Sequence, residues 1–207
     1  MKVAVIGAGR MGGGFARALA ARGYEVAISS RDPAHGAQLA HELGAARGGG
    51  EAEAVEGAAI VFLTIPWTAV AETLPRLGDL SGKVLVDVTN PYVEGRLQPH
   101  RDTSDAEEIQ RLAPGARVVK GWNTIFSQVV NSSPDFDGQA ATVFLAGDDP
   151  VAKESVAGLA RDMGYDPVDC GGLSAARTLE RVVGSLGTLG HQFPWGSYAL
   201  KILRRPS

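Results

Sequence analysis

Cysteine is nearly absent from this chain. The single thiol, Cys170, excludes an internal disulfide and leaves no thiolate set for a metal. Its neighbour Asp169 is expected to push that thiol up, so Cys170 reads as a small, partly buried hydrophobe. Long apolar runs are also missing. No uncharged stretch approaches the roughly 20 residues of a membrane-spanning helix. The opening Met1-Lys2-Val3-Ala4-Val5-Ile6 is too short for a signal peptide before glycines and Arg10 interrupt it. A cytoplasmic protein with no membrane partner is therefore expected. Nor is there an excess of one charge: the formal net charge is −3 and the Lys and Arg residues are scattered, which removes the basic stripe that a nucleic-acid partner needs.

What is present is periodicity. Short β-branched runs alternate with stretches of helical period, the pattern of a parallel sheet with crossover helices. Strands are predicted at Val3–Ile6, Val26–Ser29, Ile60–Thr64, Val84–Asp87, Arg117–Val119, Thr142–Ala146 and Asp166–Asp169. The first helix should run from about Arg10 to Arg22, with Phe15 and Leu19 on its apolar face and Gly23 as its stop. The second should begin at Asp32-Pro33, an N-cap followed by proline in the first turn, and end before Gly44. Residues 48–50, three glycines, and residues 90–104 read as loops. After Gly171 the text becomes helical with Gly and Pro interruptions. The expected fold is α/β: a Rossmann-type doubly wound, mainly parallel sheet with a small helical C-terminal cap. The expected organisation is one compact domain, with 1–147 as a dinucleotide-binding core and 148–207 as an extension and cap.

The most informative segment is Gly7-Ala8-Gly9-Arg10-Met11-Gly12, between a predicted strand and a predicted amphipathic helix. In that context Gly7 permits the tight turn, Gly9 lets backbone approach a pyrophosphate, and Gly12 allows close helix–sheet packing. The helix N-terminus then offers free N–H groups and a positive dipole end to phosphate. At the end of the second strand, where NAD-specific proteins place a carboxylate on the ribose 2′-hydroxyl, this chain has Ser29-Ser30-Arg31. A hydroxyl and a guanidinium donate charge-assisted hydrogen bonds to a 2′-phosphate, so NADP(H) is the expected cofactor. Arg10 is placed to close on the same phosphate. Asp32 is expected to cap the second helix and so turn away from the ribose.

With these residues in view, the chain resembles the NADPH-dependent coenzyme F420 reductases, the F420-dependent NADP oxidoreductases. Ser30-Arg31-Asp32-Pro33 is similar to that family's phosphate-recognition turn. Ile65-Pro66-Trp67, Asn90-Pro91 and Val119-Lys120-Gly121-Trp122-Asn123-Thr124 resemble its cofactor-side loops, and Asp162-Met163-Gly164, Asp169-Cys170-Gly171-Gly172-Leu173 and Ala175-Ala176-Arg177-Thr178-Leu179-Glu180 its C-terminal region. The family often carries Thr where this chain has Ala8. The resemblance implies a hydride passed directly between NADP(H) and coenzyme F420, and the same fold also serves reductases that use FAD or FMN.

Direct ring-to-ring transfer requires two stacked rings and no side-chain nucleophile, and no catalytic residue or metal site is expected. Candidate cofactor contacts are Gly7, Ala8, Gly9, Arg10, Met11, Gly12, Ser30, Arg31, Ile65, Pro66, Trp67, Asn90, Pro91, Lys120, Asn123 and Thr124. Among these, Lys120 is expected to pair with a phosphate, and Asn90, Asn123 and Thr124 to orient a carboxamide or second ring. His35 and His41 fall on one exposed helix, His100 in a loop and His191 in the cap. Trp67, Trp122 and Trp195 either line a ring pocket or pack in the core. The apolar C-terminal segment with Phe193, Trp195, Tyr198 and Leu200 reads as a homodimer surface. The alternatives left open are an NADPH-dependent dehydrogenase or reductase of a small substrate and a non-catalytic NADPH-binding module.

Overall fold

In this computed structural model, which describes residues 1–44, 46–193 and 195–205, six strands form one parallel sheet. They are β1 (Lys2–Ile6), β2 (Glu25–Ser29), β3 (Ala46–Gly49), β4 (Ile60–Leu63), β5 (Val84–Asp87) and β6 (Arg117–Lys120), in spatial order β3-β2-β1-β4-β5-β6. The chain works outward from β1 to one edge, returns to β4 beside it, and then works outward to the other edge. That reversal leaves a crevice beyond the C-terminal ends of β1 and β4. Every residue of β4 and β5 is buried, because helices cover both faces of a parallel sheet.

The helices are α1 (Arg10–Ala20), α2 (Pro33–Leu43), α3 (Glu51–Val55), α4 (Val70–Thr73), α5 (Asp105–Leu112), α6 (Ser127–Val130), α7 (Pro150–Asp162) and α8 (Ala176–Gln192). On one face of the sheet, Phe15 of α1 meets Phe62 at 4.9 Å and Trp122 edge-on at 5.5 Å between ring centroids. Trp122 in turn meets Tyr165 edge-on at 6.0 Å. Trp122 is fully buried despite its left-handed φ of 55°, so of its two expected uses it has the core-packing one. Strands β7 (Thr142–Leu145) and β8 (Asp166–Asp169) form a parallel pair around α7. Lys120 and Ala146 join that pair to β6 in antiparallel sense through two backbone bonds of 2.8 and 3.1 Å.

The expected α/β Rossmann-type fold is therefore the observed one, with two local corrections. Residues 48–50 are not all loop: Gly48 and Gly49 end β3, paired in parallel with β2. A Cβ on Gly48 would lie 2.4 Å from the Ala37 Cα of α2, so close helix packing demands glycine and erases the β-branched signal of a strand. Residues 90–104 likewise contain a small antiparallel hairpin, Tyr92–Val93 with Arg96–Leu97, turned through Glu94 and Gly95 at φ 50° and 75°.

Candidate cofactor site

Helix α1 begins with an unfilled N-terminus. Gly9 stands at its N-cap in extended conformation, no side chain caps it, and no acidic residue occupies its first turn. Its first-turn N–H groups are thus left for an anion. The three glycines of the turn are required for different reasons. Gly7 has φ 106°, and a Cβ on Gly12 would fall 1.8 Å from the Gly7 carbonyl oxygen and 2.5 Å from Thr64 Oγ1. Thr64 Oγ1 locks that turn, its one proton shared between the carbonyls of Ile6 and Gly7 at 2.8 and 2.9 Å. Gly9 is different: its φ is −75°, and a Cβ there would meet no protein atom within 4 Å. Packing within the chain does not explain that glycine, and its open side leaves room for a ligand to approach.

Gly7, Ala8 and Gly9 share a cavity of about 410 Å³ with Ser30, Arg31, Ile65 and Pro66. Seven of the sequence-selected residues thus come together on the crevice. Arg31 is exposed, and among the described residues no carboxylate pairs with it. Asp32 accepts from the Ala34 N–H at 3.0 Å, the capping bond anticipated from Pro33. The acid on the cavity wall, Glu51, is held by Arg76 through contacts of 2.6 and 3.2 Å, which offsets its repulsion of a phosphate.

Arg10 does not line that cavity but an adjoining one of about 510 Å³, with Arg17, Gln38 and Asn131. The two cavities meet at Ala8, Gly9 and His35. Met11 packs against the core beneath the turn, and Gly12 is buried.

The remaining candidates sit over the ends of β4, β5 and β6. Trp67 is half-buried and meets the His100 ring edge-on at 5.5 Å. Pro91 is buried. Asn90 and Asn123 clamp each other, Asn90 Nδ2 donating to the Asn123 carbonyl at 2.8 Å and Asn123 Nδ2 to Asn90 Oδ1 at 3.0 Å. Neither Asn123 nor Thr124 lines the 410 Å³ cavity; Asn123 Oδ1 and Thr124 Oγ1 are buried without a partner among the described residues.

Lys120 is a correction. It is wholly buried, and its ammonium donates to Asp87 Oδ2, Glu180 Oε1 and the Thr89 carbonyl, each at 2.8 Å. Burial alone would lower it, but Asp87 and Glu180 more than offset this and hold it above its ordinary value. No proton-bearing donor is left over for a phosphate. Glu180 also accepts from the Asp105 N–H at 3.0 Å, so α8 caps α5. Asp105 is a third buried carboxylate, bonded to Thr89 Oγ1 at 3.2 Å and His100 Nε2 at 2.9 Å. Burial and repulsion from Glu180 push it up to about 7, against relief from Lys120. Sequence reading found no such cluster. One signal was available: Asp87 and Lys120 each end an apolar strand, and in register they are direct partners.

The sequence profile of the family described as NADP oxidoreductase, coenzyme F420-dependent, matches residues 2–91. The F420-dependent NADP reductase of Methanothermobacter marburgensis is 33% identical over 202 residues, covering 88% of this chain and 89% of that one. This chain belongs to the F420-dependent NADP oxidoreductase family. An Arthrobacter sp. FB24 crystal structure, provisionally assigned as an F420-dependent NADP-reductase, superposes with a TM-score of 0.90 at 32% identity, over 99% of this chain and 100% of that one. The rat metalloreductase STEAP3 is 35% identical over 181 residues, but this chain spans only 36% of its length.

For a member of this NADP-dependent oxidoreductase family the donor set is chemically suitable. An uncapped helix start, a glycine that no contact within the protein requires, and a hydroxyl beside a guanidinium all suit a phosphorylated dinucleotide. Cys170 does not line the cavity, and burial, then Asp169, push its thiol up. Among the described residues no helix is long and apolar enough to cross a membrane, and no metal-ligand cluster occurs.

Proposed function

We propose that the chain binds NADP(H) across the crevice beyond β1 and β4, and exchanges a hydride directly with coenzyme F420 or a flavin such as FAD or FMN. The observation that carries this reading is the shared cavity of Gly9, Ser30 and Arg31, in which the position beside the ribose holds a cation and no free acid. Nicotinamide supplies the hydride chemistry when bound. The N–H groups of α1 would hold the pyrophosphate, and Ser30 and Arg31 the 2′-phosphate. Ile65 and Pro66 wall the cavity.

The acceptor is placed at a cavity of about 320 Å³ lined by Tyr92, Phe126, His191, Trp195 and Tyr198, since aromatic walls suit a planar ring. This cavity adjoins the 510 Å³ one, Gln128 lining both. The reading extends to one compact domain, a cytoplasmic location, and a homodimer through the exposed Phe193 and Trp195, which stack at 4.8 Å.

The test is NADPH oxidation by the pure protein with F420, FMN and FAD in parallel. Turnover with one of them supports the reading and names the acceptor. Tight NADPH binding without turnover by any of the three contradicts hydride transfer and favours a small-substrate reductase or a binding module.

A further inference from the structure

The wall of the 410 Å³ cavity after β4 is made by Ile65, Pro66, Thr68 and Ala69; Trp67, in their midst, does not line it. Trp67 turns behind the wall and packs against the core beneath. Its edge-on neighbour His100 is bonded on its other side to Asp105, the one buried carboxylate of the cluster that does not touch Lys120.

We propose that His100 is a positioning residue: gripped by Asp105 and seated against Trp67, it fixes the 65–69 wall of the cofactor cavity, and the proton on the Asp105 carboxyl governs how firmly. This rests on the NADP(H) reading of that cavity.

The charges around the pair decide the sign. Behind Asp105 stand Asp87 from β5 and Glu180 from α8, against the single ammonium of Lys120 from β6. Arg181 of α8 binds the His100 carbonyl at 2.7 Å, the neighbouring Glu107 is paired with Arg177 at 2.6 Å, and Arg101 and Asp102 face solvent. Three buried carboxylates therefore share one buried ammonium, and a proton taken up by Asp105 relieves the repulsion among them. Losing it leaves a charged carboxylate that His100 holds more strongly, since their hydrogen bond favours the ionised form, and so tightens the seat of Trp67. The wall should hold best above about pH 7, to which burial and Glu180 raise the Asp105 carboxyl.

The test is calorimetric NADPH affinity of the whole chain from about pH 6 to about pH 8.5, for wild type, Asp105→Asn and His100→Gln, with an expected wild-type tightening of about threefold centred near pH 7. Both neutral replacements should lack that step. The titration of NADPH's own 2′-phosphate is common to all three proteins and cancels in the ratio. Without cofactor, the emission of Trp67, read as wild type minus Trp67→Phe, should shift over the same range and stay constant in Asp105→Asn. Identical profiles in wild type and Asp105→Asn, or a Trp67 emission indifferent to pH, overturn the proposal. No NADPH binding at any pH refutes the cofactor reading instead, and the emission step then decides the proposal alone.

Discussion

Arg31 and Lys120 are two cations that look alike in the sequence, each near the C-terminal end of a sheet strand and each selected as a phosphate partner. Environment separates them. Arg31 stands exposed on the cavity rim, while Lys120 is enclosed with Asp87 and Glu180. Lys120→Ala should therefore act through folding: two buried carboxylates lose their counter-charge, at a cost of about 3–5 kcal/mol. Urea unfolding would register this as a lower midpoint; unchanged stability with weaker NADPH binding would return Lys120 to the phosphate. Asp105 makes an opposite prediction. Its carboxyl is raised from 3.8 to about 7, so in that window the folded protein holds a proton that the unfolded chain has released. Stability should fall as pH climbs through the window and level off above it. Asp105→Asn should raise the melting temperature at about pH 8, each kcal/mol relieved being worth about 3 °C at this length. A lower melting temperature there would contradict the assignment.

At the scale of elements, the glycine turn makes the cleanest distinction between fold and function. Gly12→Ala places a Cβ 1.8 Å from a backbone oxygen and should destabilise the protein by about 3 kcal/mol, with a matching loss in melting temperature. Gly9→Ala meets no protein atom and should leave stability nearly unchanged while weakening NADPH about tenfold, or about 1.4 kcal/mol. Equal melting losses in both variants would mean that Gly9 serves only the fold. The same elements show what the sequence made legible. Strands β4 and β5 were readable because both faces are buried, so their whole length is apolar or nearly so. β3 was not, because α2 lies so close that only glycine fits. The cradle was readable because its residues are local, spanning one turn and the next strand end. The buried ion cluster was not, since Asp87, Asp105, Lys120 and Glu180 come from four elements, and only strand pairing or helix docking brings them together.

For the whole molecule, the sheet, the crevice and family membership agree on a protein organised around a phosphorylated dinucleotide. The C-terminal segment closes back on it: Thr142 donates its N–H to the Leu200 carbonyl at 2.9 Å, and Lys201 and Arg204 pair with Asp166 at 2.8 and 2.9 Å. This leaves Leu189, Phe193 and Trp195 on the surface, and light scattering at micromolar concentration should give twice the chain mass; a monomer would rule out the proposed dimer. The most direct measurement concerns the phosphate that distinguishes the two nicotinamide coenzymes. Calorimetric titration of wild type and Arg31→Ala with NADPH and NADH should show NADPH bound more tightly by wild type, with about 1.5–3 kcal/mol of that lost in the variant and NADH nearly unaffected. Equal affinity of wild type for the two coenzymes, equal losses for both in the variant, or no heat with either, would contradict the account.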